Sequence, residues 1–116
     1  VLTYGLGLGY FAYMVSEKES VSSVTIVERD KNAISLFRDI ILPQMPRKDK
    51  INIICDDAFY FAETRLADSD FNFVFADIWH DPSDGVPAYK RLKETEKYLP
   101  SADFSYWIEK TLKCYI

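Results

Sequence analysis

Val1-Leu2-Thr3-Tyr4-Gly5-Leu6-Gly7-Leu8-Gly9-Tyr10 opens the chain and decides how the rest is read. The first four residues are apolar or β-prone and stop at Gly5, so they read as a short strand. Three alternating glycines separate that strand from residues 10–18 (YFAYMVSEK), which read as a helix. A glycine turn between a strand and a helix brings backbone close to a neighbour and exposes helix N–H groups to a ligand. The competing reading is a plain tight turn that needs glycine only for its backbone angles.

Working outward, residues 21–28 (VSSVTIVE) are β-branched and apolar, a second strand. Asp30 suits the N-cap of a helix in which Ala33, Ile34, Phe37, Ile40 and Ile41 recur at spacings of three and four, until Pro43 and Pro46 end it. Ile51–Cys55 (INIIC) gives a third strand, and Asp57 opens a helix whose apolar members include Phe61, Ala62 and Leu66. Residues 71–76 (FNFVFA) are nearly continuously apolar, the pattern of a strand covered on both faces of a parallel sheet. A polar loop with Pro82, Gly85 and Pro87 then leads into a helix through Lys97. Strands and helices alternating at these lengths predict right-handed βαβ units. The fold class is α/β, a Rossmann-like open parallel sheet with helices on both faces.

The last segment departs from that alternation. Ser101 can cap a helix with Phe104, Trp107, Ile108, Thr111, Leu112 and Tyr115 on one face, which reads as a packing face. The sheet is therefore expected to be truncated after its fourth strand. Residues 71–76 would then lie at a sheet edge, where unpaired backbone invites another chain.

At 116 residues the chain has room for one compact domain, residues 1–116. An apolar fraction of 48% with 16% aromatics is enough for a packed core. Fourteen basic against eighteen acidic residues leave a net charge of −4, so nucleic-acid binding has no electrostatic support. The longest basic cluster, Arg47-Lys48 with Lys50, sits near two prolines and reads as a solvated loop. Cys55 and Cys114 have no CxxC spacing and, with His80 the only histidine, make no zinc set. They read as buried or half-buried free thiols of a reducing, cytoplasmic compartment. No stretch reaches the roughly 18 apolar residues of a membrane span, and no basic leader precedes the apolar start. The chain begins at Val1, already inside a strand, which reads as a piece of a longer protein.

The glycine spacing discriminates between ligands. The dinucleotide fingerprint GxGxxG would need glycine where Tyr10 stands, whereas the third glycine falls at Gly9, giving GxGxG. Glu28 closes the second strand, where a carboxylate can accept both hydroxyls of a ribose diol. An ordinary acidic residue at a strand end is the alternative. After the third strand runs Ile54-Cys55-Asp56-Asp57-Ala58-Phe59, in which Asp57 can also act simply as a helix cap. After the fourth, Asp77-Ile78-Trp79-His80-Asp81-Pro82-Ser83-Asp84 gathers three aspartates and the histidine. Such groups can position or deprotonate an amine. Alternatively, His80 bonds to a neighbouring aspartate and Trp79 is a hydrophobic lid or plug.

With these four marks in order, the chain resembles class I S-adenosylmethionine-dependent methyltransferases over about residues 1–88. The VLTYGLGLG stretch is similar to their first motif, with Thr3 where the family commonly carries an acid. The DIWHD string looks like an uncharacterised bacterial, spermidine-synthase-like branch. The resemblance implies S-adenosylmethionine as cofactor, with Gly5, Gly7 and Gly9 along its amino-acid portion, Glu28 on the ribose, and Asp57 (Asp56 as second choice) on the adenine amino group. It makes Asp77 a border of both cofactor and reaction centre, and Asp77, His80 and Asp81 the candidate catalytic residues. The implied function is a methyltransferase of unknown acceptor.

Three other readings stay open. The spermidine-synthase loop, Asp-x-x-Asp-Pro, makes aminopropyl transfer from decarboxylated S-adenosylmethionine the alternative reaction, with Asp77 and Asp81 one residue further apart here. A non-catalytic cofactor-binding or interaction domain is another, and an NAD-dependent oxidoreductase is disfavoured by Tyr10. The expected partners are a small-molecule acceptor and either a second copy, as a homodimer, or a missing part of the chain. Neither nucleic acid nor membrane is expected.

Overall fold

The computed structural model describes residues 1–7 and 9–116; Leu8, inside the glycine motif, lies outside the described residues. Five parallel strands form one open sheet in the order β3-β2-β1-β4-β5. They are β1 Leu2–Tyr4, β2 Val24–Glu28, β3 Ile51–Cys55, β4 Phe73–Ala76 and β5 Asp103–Tyr106. Parallel neighbours need crossover connections, and these are supplied by α1 (Tyr10–Ser16), α2 (Lys31–Leu36), α3 (Ala58–Thr64) and α4 (Pro82–Glu94), with α5 (Glu109–Lys113) following β5. The chain winds from β1 outward through β2 to β3, then crosses back to place β4 on the other side of β1.

The two-residue period of the strands divides the core between the sheet's faces. Leu2 and Tyr4 of β1, with Val74 and Ala76 of β4, pack against Phe61 of α3, Leu92 of α4 and Leu112 of α5. On the opposite face Val24 and Ile26 of β2 pack with Ala12 of α1 and with Phe37, just beyond α2. The register sets Thr3 between Ile26 and Phe75, so these three share the α1 face.

The chain's end differs from the sequence reading. Residues 103–106 are a strand, not part of a helix capped by Ser101, and the sheet does not stop after β4. Backbone pairing decides this: β4 has an open side, and β5 fills it along Phe73↔Asp103 through Ala76↔Tyr106. Side chains then lock the segment in place. The Tyr106 hydroxyl donates to Glu96 at 2.5 Å, the Tyr89 hydroxyl to Glu109 at 2.7 Å, and the Trp79 indole N–H to the Trp107 carbonyl at 3.1 Å. Helix α5 begins only after Ile108, which takes a left-handed conformation. The expected common face therefore does not form: Leu112 is fully buried while Tyr115 is 66% exposed. With β4 interior, the sheet edges are β3 and β5, and the expected reason for a partner at β4 falls away.

Helix α4 also starts earlier than expected. Asp81 is its N-cap, Asp84 completes a reciprocal capping box, and Pro82 occupies the first turn, so Pro82, Gly85 and Pro87 are helical and not loop. Helix α2 gives way at Phe37 to a wider turn, Phe37–Ile41, and then to a tight turn, Leu42–Gln44, around Pro43. The widening carries Ile40 into solvent, while Ile34 and Phe37 stay buried. Lys50 is not part of a solvated loop. It is buried, and its ammonium donates to the carbonyls of Ser16 at 2.9 Å and Lys18 at 3.1 Å, satisfying the C-terminal end of α1. Both cysteines are exposed, because Cys55 ends the edge strand β3 and Cys114 follows α5. No described helix is long and apolar enough to cross a membrane.

One core group is unsatisfied. The Tyr4 side chain is buried edge-on against Phe61, and its hydroxyl meets no hydrogen-bond partner among the described residues. Burial pushes its phenol well above the ordinary tyrosine range. A buried hydroxyl without a partner costs about 1–3 kcal/mol. Tyr4→Phe is therefore expected to raise stability by about 1 kcal/mol in a denaturant melt. A loss of similar size would show that the hydroxyl is bonded, for instance through a buried water.

Candidate functional site

The order of the strands creates a switch point between β1 and β4, where successive crossovers leave in opposite directions. In open α/β sheets ligands bind there, outside the carboxyl ends of the strands. The glycine turn leaves β1 at this point and Asp77 leaves β4 beside it, with the Asp77 N–H donating to the Tyr4 carbonyl at 2.9 Å.

All three glycines have positive φ: 93° at Gly5, 54° at Gly7 and 80° at Gly9. Gly5 and Gly9 are needed for space as well. A Cβ on Gly5 would run into the Asp77 carbonyl oxygen, and one on Gly9 would lie 2.6 Å from the Phe37 ring. Gly7 differs. The nearest atom to a Cβ there would be a carboxylate oxygen of Asp77, 3.8 Å away, so the turn is open on that side.

Glu28 holds the turn. One carboxylate oxygen accepts the Leu6 N–H at 2.9 Å and the other accepts the Asp30 N–H at 3.0 Å. A carboxylate has about four lone-pair positions, so these two bonds leave acceptor capacity. At the end of β3 the Asp56 N–H donates to the Glu28 carbonyl at 3.1 Å, bringing the Asp56-Asp57 pair beside the same turn. Asp57 caps α3 through the Tyr60 N–H at 2.9 Å and lies 3.9 Å from the Arg29 guanidinium; its side chain stays 41% exposed. Asp56 accepts the Asp57 N–H at 2.8 Å and lies 4.0 Å from the Arg65 guanidinium.

The loop after β4 separates its acidic residues. Asp77 is half-buried, and no N–H or O–H among the described residues donates to its carboxylate. Burial raises its pKa, and the nearby His80 pulls it partly back. Asp81 is exposed and serves as the α4 cap, accepting from the backbone and hydroxyl of Ser83, and these bonds hold its carboxyl below the usual range. His80 is exposed, and its backbone N–H donates to Asp84. Trp79 is a plug: buried, stacked on Tyr106 and bonded to Trp107.

The structure thus gathers Gly5, Gly7, Gly9, Glu28, Asp57 and Asp77 along the carboxyl ends of β1 to β4, while the Asp81 carboxylate is committed to the helix cap. A cavity of about 410 Å³ opens beside them, between α1 and the sheet. Asp77 lines it and His80 and Asp81 do not. The sequence reading missed the cavity's aromatic wall, in which Phe11 of α1 stacks on Phe75 of β4 at 4.3 Å. The alternation of Phe73 and Phe75 with Val74 and Ala76 was its one sequence signal. No known family profile matches the chain, and no characterised protein matches it significantly.

The state of Asp77 fixes a pH dependence. A carboxyl whose folded pKa lies above its ordinary 3.8 destabilises the folded chain when ionised. That cost is absent below 3.8 and grows as pH rises through the raised value. Asp77→Asn is therefore expected to melt higher than the parent protein at pH 7, with the difference shrinking in acid. An equal or lower melting point at pH 7 would mean that the carboxylate is stabilised by groups not identified above.

Proposed function

We propose that this chain is an S-adenosylmethionine-binding, Rossmann-like domain of a methyltransferase acting on a small-molecule acceptor. The observation that carries the reading is the joint placement of the GxGxG turn, Glu28 and Asp57 at the ends of β1, β2 and β3, with Asp77 across the switch point. The residues suit the group. Gly7 is open to a backbone-hugging ligand, Glu28 has acceptor capacity left for a ribose diol, and Asp57 is exposed enough to accept from an adenine amino group while it caps α3. When bound, the cofactor supplies an electrophilic methyl on a cationic sulfur. Asp77 contributes a negative charge in a half-buried place, where it holds a cation more firmly than it would in water.

The aminopropyl-transfer alternative uses two carboxylates around one amine. It gains less support here, because Asp81 is exposed and bonded to Ser83 and only Asp77 borders the cavity.

The test is a thermal-shift comparison of S-adenosylmethionine, S-adenosylhomocysteine, decarboxylated S-adenosylmethionine and NAD. A ligand present at 100 times its dissociation constant adds about 2.7 kcal/mol of stability. The first two are expected to raise the melting midpoint, and NAD to leave it unchanged. A shift with NAD alone would replace the reading with a dinucleotide site.

A further inference from the structure

The cavity beside Asp77 excludes the residues proposed for the ribose and the adenine. Neither Glu28 nor Asp57 lines it. Its walls are the inner face of α1, Thr3 of β1 and Phe75 of β4, and it adjoins the cofactor path at Gly5, Gly7 and Asp77. At about 410 Å³ it falls within the range of small-molecule sites, and its surface is mainly apolar.

Its charges are few and unlike. Among the described residues, Asp77 is the one carboxylate on its wall, and Lys18, beyond the C-terminal end of α1, is the one cation. Tyr10, Phe11, Phe75 and Trp107 are its aromatic members. Phe11 and Phe75 are stacked, and Trp107, 38% exposed, adds its indole. Aromatic faces favour both flat apolar groups and cations, and a half-buried carboxylate favours a cation strongly.

We propose that this cavity binds an organic monoamine with an apolar, arene-sized body, its ammonium on Asp77 and its body against Phe11, Phe75 and Trp107. The single carboxylate selects one ammonium group. A diamine would bring a second ammonium to a wall with no second carboxylate among the described residues and with the like charge of Lys18. A carboxylate in place of the ammonium would meet Asp77 as a like charge. The inference rests on the preceding reading only in making this amine the acceptor; the site itself is defined without the cofactor.

Titration calorimetry with 2-phenylethylamine, putrescine and 3-phenylpropanoate tests it, each with and without saturating S-adenosylhomocysteine. Phenylethylamine is expected to bind at least tenfold more tightly than the other two, with and without the nucleoside, and Asp77→Asn to weaken it at least tenfold. Should that variant be unfolded, nuclear Overhauser contacts on the parent protein decide, and they are expected from the amine's ring protons to the Phe11, Phe75 and Trp107 rings. Equal or tighter binding of putrescine, unchanged affinity in folded Asp77→Asn, displacement of the amine by S-adenosylhomocysteine, or contacts to other rings would overturn the proposal. The two readings fail separately. A nucleoside that does not bind, beside an amine that does, defeats only the cofactor assignment, and the reverse result defeats only the amine site.

Discussion

The hydrogen bond from the Leu6 N–H to the Glu28 carboxylate is the joint around which the carboxyl end of the sheet is built. A turn with three positive-φ glycines has a large backbone entropy to lose, offset in part by backbone bonds from the Gly9 N–H to the Leu6 carbonyl and from the Gly5 N–H to the Val27 carbonyl, both 2.9 Å. Glu28 adds a side-chain constraint from the adjacent strand. Because its second oxygen takes the Asp30 N–H, the same carboxylate also sets the start of α2. The Asp56 N–H on the Glu28 carbonyl extends the tie to β3. One acidic residue thus fixes three loop beginnings relative to one another, and a ligand lying across those strand ends would meet a surface already arranged.

The two faces of the sheet are covered unequally. Helices α3, α4 and α5 pack over one face, with Tyr106, Tyr89 and Trp79 tying the last strand and helix to α4 and the segments that flank it. The other face has α1 and the α2 region, whose core lies over β2 and β3. Over β1 and β4 on that side there is Phe11 on Phe75 and then the cavity. Lys50 matters for this geometry, since its buried ammonium holds the C-terminal end of α1 through two carbonyls and so sets one wall of the chamber.

Much of this was legible in the residues. The first four strands and their parallel pairing follow from apolar runs alternating with helical periodicity, and the glycine turn, Glu28, Asp57 and Asp77 stand out because ligands in such sheets bind outside the carboxyl ends of the strands. The fifth strand was not. Phe104, Trp107, Ile108 and Leu112 fit a helical spacing, while Phe104 and Tyr106 fit a strand alternation. A run this short cannot be decided by periodicity, and the open side of β4 decided it. The start of α4 was legible but overlooked: Asp81, Pro82 and Asp84 spell a capping box with proline in the first turn, and two further helix breakers, Gly85 and Pro87, hid it. Lys50 shows another limit. A lysine in a basic, proline-flanked segment gives no sign that two distant carbonyls, those of Ser16 and Lys18, will bury it.

The proposed nucleoside-sulfonium site lies at the strand ends around the glycine turn, at the β1/β4 switch. The most direct measurement is the backbone amide NMR spectrum during titration with S-adenosylhomocysteine. Saturable shifts are predicted at Gly5, Gly7, Glu28, Asp57 and Asp77, with the amides of α5 unmoved. Shifts confined to β5 and α5, or a spectrum unchanged at millimolar ligand, would contradict it.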